Sequence, residues 1–136
     1  MNGKEKFIGF GPDLRTPLDL LKKLDNDYRR ILDNPLDTNA AFDFFVTAEH
    51  MGDWIDDRSL KHKVPELKIA SHLATGAKHF NPHDSYQSVS HLDSPYEEET
   101  LQVSLIGDEA RMFGTTISVC ELAAKVLQYW RKHLSV

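Results

Sequence analysis

The chain has 136 residues, 40% of them hydrophobic and 27% charged, with 16 basic against 21 acidic side chains and a formal net charge of −5. That length predicts one domain spanning 1–136 with enough buried surface to need no staples, and a lone cysteine, Cys120, excludes an internal disulfide scaffold. No apolar run approaches the roughly 20 residues of a membrane span, and Met1-Asn-Gly-Lys-Glu-Lys lacks the apolar stretch of a signal peptide, so the expectation is a cytoplasmic, non-membrane protein.

Residues 1–13 read as an irregular arm, because Phe7-Ile-Gly-Phe-Gly-Pro12 combines glycines with proline, and its two phenylalanines are expected to pack on the domain. Gly9-Phe-Gly11 is no phosphate loop, since no strand leads into it and no Lys-Ser/Thr follows. From Leu14 to Leu32, apolar residues recur every three or four positions with Lys22, Lys23, Arg29 and Arg30 between them, which predicts an amphipathic helix. Pro35 breaks it, and Asp37 or Thr38 is placed to cap the next. That second helix, about Asn39 to Asp56, is apolar around most of its circumference and so is expected at the centre, with Phe42-Asp-Phe-Phe45 as core.

Arg58 to Lys63 reads as a loop or short turn, and Pro65 opens a third helix running to about Phe80, where Asn81-Pro82 ends it. Residues 81–97 are polar and aperiodic, a long loop. Leu101–Leu105 alternates with period two, Gly107-Asp108 supplies a turn, and Ala110–Phe113 is expected to return as the second strand of a hairpin. A last helix runs to Leu134, with a possible capping box in Ser118 and Glu121 and with Cys120 as a small buried hydrophobe. The predicted fold is mainly α (α+β): a four-helix bundle with a small β-hairpin inserted before the last helix.

One polar cluster invites a chemical reading. His50 and Asp53 are three residues apart beside Trp54, and the third helix ends in Lys78 and His79, with His72 and Thr75 on a shared face and Gly76 between. Three interpretations compete. The polar groups satisfy one another in the core and fix helix register, with Gly76 permitting close helix approach. Alternatively His50, Asp53, Lys78 and His79 perform acid/base chemistry, a carboxylate orienting an imidazole and the lysine stabilising negative charge. Or His50, Asp53, His79 and His83 hold a metal, although no HExxH or paired CxxC spacing supports this and no metal or cofactor is assigned. His62, His91 and His133 read as solvated.

Ala41-Phe-Asp-Phe-Phe-Val-Thr-Ala-Glu-His-Met-Gly-Asp-Trp54 and Ile69-Ala-Ser-His-Leu-Ala-Thr-Gly-Ala-Lys-His-Phe80 resemble a group of small bacterial and phage helical proteins. In that group a Phe-Phe-Val-Thr-Ala-x-His-x-x-Asp-Trp helix precedes one ending Ala-Asn-Gly-Ala-Lys-His-Phe, then a hairpin and a helix with a Tyr/Phe-Trp pair, here Tyr129-Trp130. Thr75 stands where the pattern has Asn, and Ser71-His72 replace a basic-acidic pair. The resemblance implies no activity. A helical bundle also resembles, distantly, the HEPN superfamily with its Arg-x(4–6)-His motif, but Arg58 and His62 are separated by only three residues, so an intact HEPN nuclease site is not expected.

Charge is unevenly distributed. Residues 84–111 carry seven acidic side chains against Arg111 alone, while the rest of the chain is nearly balanced. The acidic 81–113 region, with Glu97, Glu98 and Glu99 at its densest, is the expected contact surface for a protein partner, set against the alternative of a solvated edge. Overall acidity argues against general nucleic-acid binding. The leading expectation is a helical binding or regulatory module of bacterial or phage origin. The competing ones are a HEPN-like ribonuclease or small hydrolase and a metal-binding helical protein.

Overall fold

The computed structural model describes residues 9–78 and 88–136. They form a mainly helical fold with a small antiparallel sheet: α1 (Pro17–Asp33), α2 (Thr38–Trp54), α3 (Leu60–Lys63), α4 (Pro65–Lys78), β1 (Val89–Asp93), β2 (Gln102–Leu105), α5 (Gly107–Phe113), β3 (Thr116–Ser118) and α6 (Val119–His133). No described helix is long and apolar enough to cross a membrane.

Helix starts follow local chemistry. Thr16 and Asp19 close a reciprocal capping box, each side chain accepting from the other's backbone N–H, and Pro17 takes the first helical position. The N–H of Arg15 also donates to Asp19, and these backbone donors hold that exposed carboxyl below its ordinary pKa. Asp37, rather than Thr38, caps α2 through the N–H of Asn39. Ser118 caps α6 by accepting from the N–H of Glu121, one half of the expected box. In α2, Ala40, Ala41, Phe44, Phe45, Ala48 and Met51 are buried. This helix packs on α1, α4 and α6, the central position its sequence implied.

The sheet departs from the expected hairpin. Its order is β1-β2-β3: β2 pairs antiparallel with β1 on one side, across an irregularity between Val89 and His91, and with β3 on the other. Ala110–Phe113, expected as a strand, lies in α5. Gly107, at φ 68, starts that helix; Asp108 and Glu109 occupy its first turn where the dipole favours anions, and Ala110, Arg111 and Met112 are good helix formers. The polar stretch read as loop contains β1. Two packing expectations also change: Phe10 is largely exposed rather than packed, and a Cβ on Gly76 would meet open space, so this glycine does not serve close helix approach. Phe7 and the expected helix stop at Asn81-Pro82 lie outside the described residues.

A buried carboxylate joins α1 to α2. Asp27 is only 3% exposed. Its Oδ2 accepts from Lys23 Nζ at 2.8 Å and from the Thr47 hydroxyl at 2.7 Å, while Arg30 stands 3.6 Å from Oδ1. The Thr47 hydroxyl also lies 2.8 Å from the Asp43 carbonyl, and the Asp43 side chain accepts from Arg30 at 2.7 Å. Thr47→Val keeps the side-chain volume but removes a donor from a buried anion. A loss of about 1–3 kcal/mol is expected, read as a lower urea midpoint at unchanged m; an unaltered midpoint would show that Lys23 and Arg30 satisfy Asp27 without the hydroxyl.

Candidate functional site

The C-terminal end of α2 is built to turn back. Asp56 adopts a left-handed backbone at φ 59, the N–H of Asp57 donates to the Gly52 carbonyl at 2.9 Å and that of Asp56 to Asp53 at 3.1 Å, the bonding pattern of a Schellman ending. The chain therefore reverses, and Arg58 returns to Asp53, its Nε 2.8 Å from Oδ1. One short turn later Lys61 stands 3.6 Å from Glu49, whose Oε2 also accepts from the Ser71 hydroxyl of α4 at 3.0 Å. Thr75 donates to the Ser71 carbonyl in α4.

These groups rim a groove of about 730 Å³ between α2, α3 and α4. Val46, Ala48, Leu67, Ala70, Ala74 and Ala77 line it, together with Phe42 and the indole of Trp130. Alanines on facing helices leave space that larger side chains would fill. Phe42, expected as core, is 49% exposed here.

His50 and Asp53 both lie on this rim, which corrects the reading of them as a buried network: their side chains are 55% and 41% exposed. Nδ1 of His50 is 3.9 Å from Asp53, farther than the 2.8 Å that brings Arg58 to the same carboxylate. Asp53 is thus engaged chiefly by Arg58 and does not orient the imidazole through a hydrogen bond. Lys78 ends the described part of α4, and His79 and His83 lie outside the described residues. Trp54 is half-buried against the core and is not among the residues lining the groove. Among the described residues, no group of three or more His, Cys, Asp or Glu is arranged to hold a metal ion. Arg58 and Lys61 were absent from the candidate set because only the left-handed turn at Asp56, which carries no sequence signature, brings them back to α2. Cys120 is partly buried, and burial pushes its thiol pKa up, away from a reactive thiolate.

The acidic region resolves into two parts. Glu109, counted with the surface acids, is buried: it accepts from the Ser88 hydroxyl at 2.8 Å and pairs with Lys68 at 3.3 Å. Asp108 pairs with Arg111. Asp93, Glu97, Glu98 and Glu99 instead lie exposed and, among the described residues, without a basic partner, with Tyr96 92% exposed beside them. β1 forms the outer edge of the sheet, with Ser90 to Asp93 exposed.

Comparison of the chain with family models, with curated proteins and with solved structures finds no match in any of the three.

The start of β1 is fastened to α4 through His72, whose Nδ1 accepts from the N–H of Val89 at 3.2 Å. Burial lowers the pKa of this imidazole below its ordinary 6.5. Above both values the group is neutral in folded and unfolded chains alike. As pH falls through 6.5, the unfolded chain takes the proton first, so stability declines until the folded-state value is passed and is then constant in this group. His72→Asn places an acceptor where Nδ1 was and does not titrate. It is expected to flatten the fall in urea midpoint between about pH 7.5 and 5. Parallel pH profiles for the two proteins would refute the role of His72.

Proposed function

We infer that the protein is a non-catalytic binding module, its long helices a bundle-like scaffold and the ribbon around β1 and the following turn its contact surface. The observation that carries this reading is the set of four exposed carboxylates, Asp93, Glu97, Glu98 and Glu99, that have no basic partner among the described residues and flank the exposed Tyr96 in sequence. A solubilising edge needs charge but no aromatic side chain in its midst; contact surfaces favour tyrosine because a rigid amphipathic ring gives large contact area at low entropic cost. Among the described residues β1 pairs with a strand on one side only, so it adds a sheet edge to this surface. The chemistry selects a basic partner surface with an apolar recess for the ring.

The hydrolase reading keeps one observation in its favour, that His50 and Asp53 share the rim of an open groove. The 3.9 Å separation and the competing Arg58 make this pair a poor general-base unit, which is why the binding reading is preferred.

Cross-linked complexes of the tagged chain, captured from a bacterial host at low salt, provide the test. Replacing Glu97, Glu98 and Glu99 with Lys, or Tyr96 with Ala, is expected to remove partners that the unaltered chain retains, with thermal midpoints within about 1 °C because these side chains are solvated. Retention of the same partners by both variants would exclude this surface. Hydrolysis of RNA or nucleotide that His50→Ala abolishes would favour the enzyme instead.

A further inference from the structure

The outer side of β1 follows from how the ladder alternates. In an antiparallel pair the N–H and C=O of successive residues point to opposite sides of the strand. The N–H of Leu105 donates to Thr115 at 2.8 Å and that of Val119 to Leu101 at 2.9 Å, so Leu101, Val103 and Leu105 turn their backbone groups toward β3. Those of Gln102 and Ser104 face β1, and the N–H of Ile106, next in that series, donates to Ser88 at 2.9 Å. The partners of Gln102 and Ser104, which are Asp93 and His91, therefore turn inward. Leu92, between them, turns its N–H and C=O outward.

This outer edge is treated differently at its two ends. The N–H of Val89 is also directed away from β2, and α4 closes it off, because His72 Nδ1 accepts it at 3.2 Å. The register irregularity between Val89 and His91 follows. At Leu92 there is no such stopper: among the described residues no strand pairs with β1 on that side, and Leu92 is 38% exposed. Open edges are templates for another strand, and proteins blunt them with bulges, charge or cover. Here the cover stops short of Leu92.

Charge at the open end selects the occupant. Asp93 ends β1, and Glu97, Glu98 and Glu99 follow it around a turn in which the N–H of Glu98 donates to Pro95 and Glu97 takes φ 72. A second copy of this chain would set the same carboxylates against these, so like charges oppose self-pairing. A strand carrying lysine or arginine meets the opposite sign. Cross-strand partners share a face of the sheet: Leu92 lies in the row of the buried Val103 and Ile117, and Asp93 in the row of Gln102 and Ser118 on the other face. An added strand thus favours an apolar residue opposite Leu92 and basic neighbours on the face of Asp93. We propose that the open end of β1 takes an extended peptide of alternating basic and apolar residues as a further antiparallel strand, bonded through the Leu92 N–H and C=O and steered by Asp93 and Glu97 to Glu99. The proposal rests on the ribbon being the contact surface and adds how its partner is held.

The probe for the full-length chain is the peptide Lys-Val-Lys-Val-Lys-Val-Lys at low ionic strength, read by NMR titration and by hydrogen exchange at single amides. One control peptide has glutamate for every lysine; the other keeps the charge and carries N-methyl groups on its valine amides, which removes the donors of the added strand. Slowing of exchange at Leu92 by about tenfold or more is expected with the basic peptide, with about tenfold weaker binding of each control. Replacing Glu97, Glu98 and Glu99 with Lys is expected to weaken the probe by about the same factor at an unaltered thermal midpoint. Leu92→Pro removes the outward N–H where an edge strand accepts proline and is expected to abolish binding, with protection of the Val103 and Leu105 amides as the check on the sheet. Binding without slowing at Leu92, or equal binding of the N-methylated peptide, overturns strand addition and leaves the ribbon a charged contact surface. Slowing at Leu92 that grows with protein concentration in the absence of peptide makes the occupant a second copy and overturns the proposal as well. So does absence of binding up to low millimolar basic peptide; if capture of partners also survives the lysine replacements, the contact-surface reading fails with it.

Discussion

The carboxylate of Asp27 is the constraint around which the helices are arranged. A buried anion is tolerated only where charge and hydrogen bonds meet it together, and here the lysine comes from its own helix while the hydroxyl comes from α2. Sliding α2 along α1 by one turn would move Thr47 by about 5.4 Å and leave Asp27 without it. Apolar packing alone tolerates such slips far better, since one leucine contact resembles another. The same three-part device recurs at two other junctions. Glu49 takes a hydroxyl from Ser71 and a charge from Lys61, tying α2 to α4 and α3; Glu109 takes a hydroxyl from Ser88 and a charge from Lys68, tying α5 to α4 and to the start of β1. Each junction combines a carboxylate, a hydroxyl from a different element and a lysine.

This repetition alters how the polar residues near the groove are understood. Glu49 has a place in the helix contact already, so its presence on the rim does not mark catalysis. His50 and Asp53 project beyond it into solvent, and Arg58 takes the carboxylate that a catalytic imidazole would require. Helix α4 connects the two surfaces of interest. Consecutive residues face different tasks, Ser71 reaching Glu49 beneath the groove and His72 receiving the N–H of Val89 at the ribbon. Lys68, one turn earlier, holds Glu109. Groove and ribbon are therefore mounted on one helix.

The long helices were legible because their apolar periodicity spans four or five turns and because two of their caps, Asp37 and Ser118, are strong local signals. The sheet was not, for a physical reason: β1 is an edge strand exposed on four of its five residues, and a strand that buries almost nothing leaves no period-two pattern. Ala110–Phe113 was misjudged because four residues cannot separate a strand from a helical turn, and the acidic first turn of α5 carries the decisive information. At the site, the spacing of His50 and Asp53 correctly placed them together, since i and i+3 share a helix face. Their exposure was not legible, because it depends on which side of α2 the other helices cover. Arg58 and Lys61 arrive by a backbone reversal at Asp56, a residue with no intrinsic need for left-handed geometry.

Net charge was the least informative of the sequence quantities, and the structure explains why. The acidity assigned to one segment is dispersed by pairing: Glu109 is internal, Asp108 is met by Arg111, and among the described residues, which do not include Asp84, Asp93 and Glu97 to Glu99 remain as an uncompensated group. At physiological ionic strength, fields decay over about 8 Å, so a partner senses the charges it touches rather than the formal total. Four carboxylates within seven residues act as one source on that scale, whereas the paired charges along α1 largely cancel before reaching solvent. On the binding role proposed above, Tyr96 gives this local field a fixed point of contact. In that role the ribbon would steer a basic surface by charge and discriminate by where the ring fits, two tasks that the chain's overall balance of acids and bases does not determine.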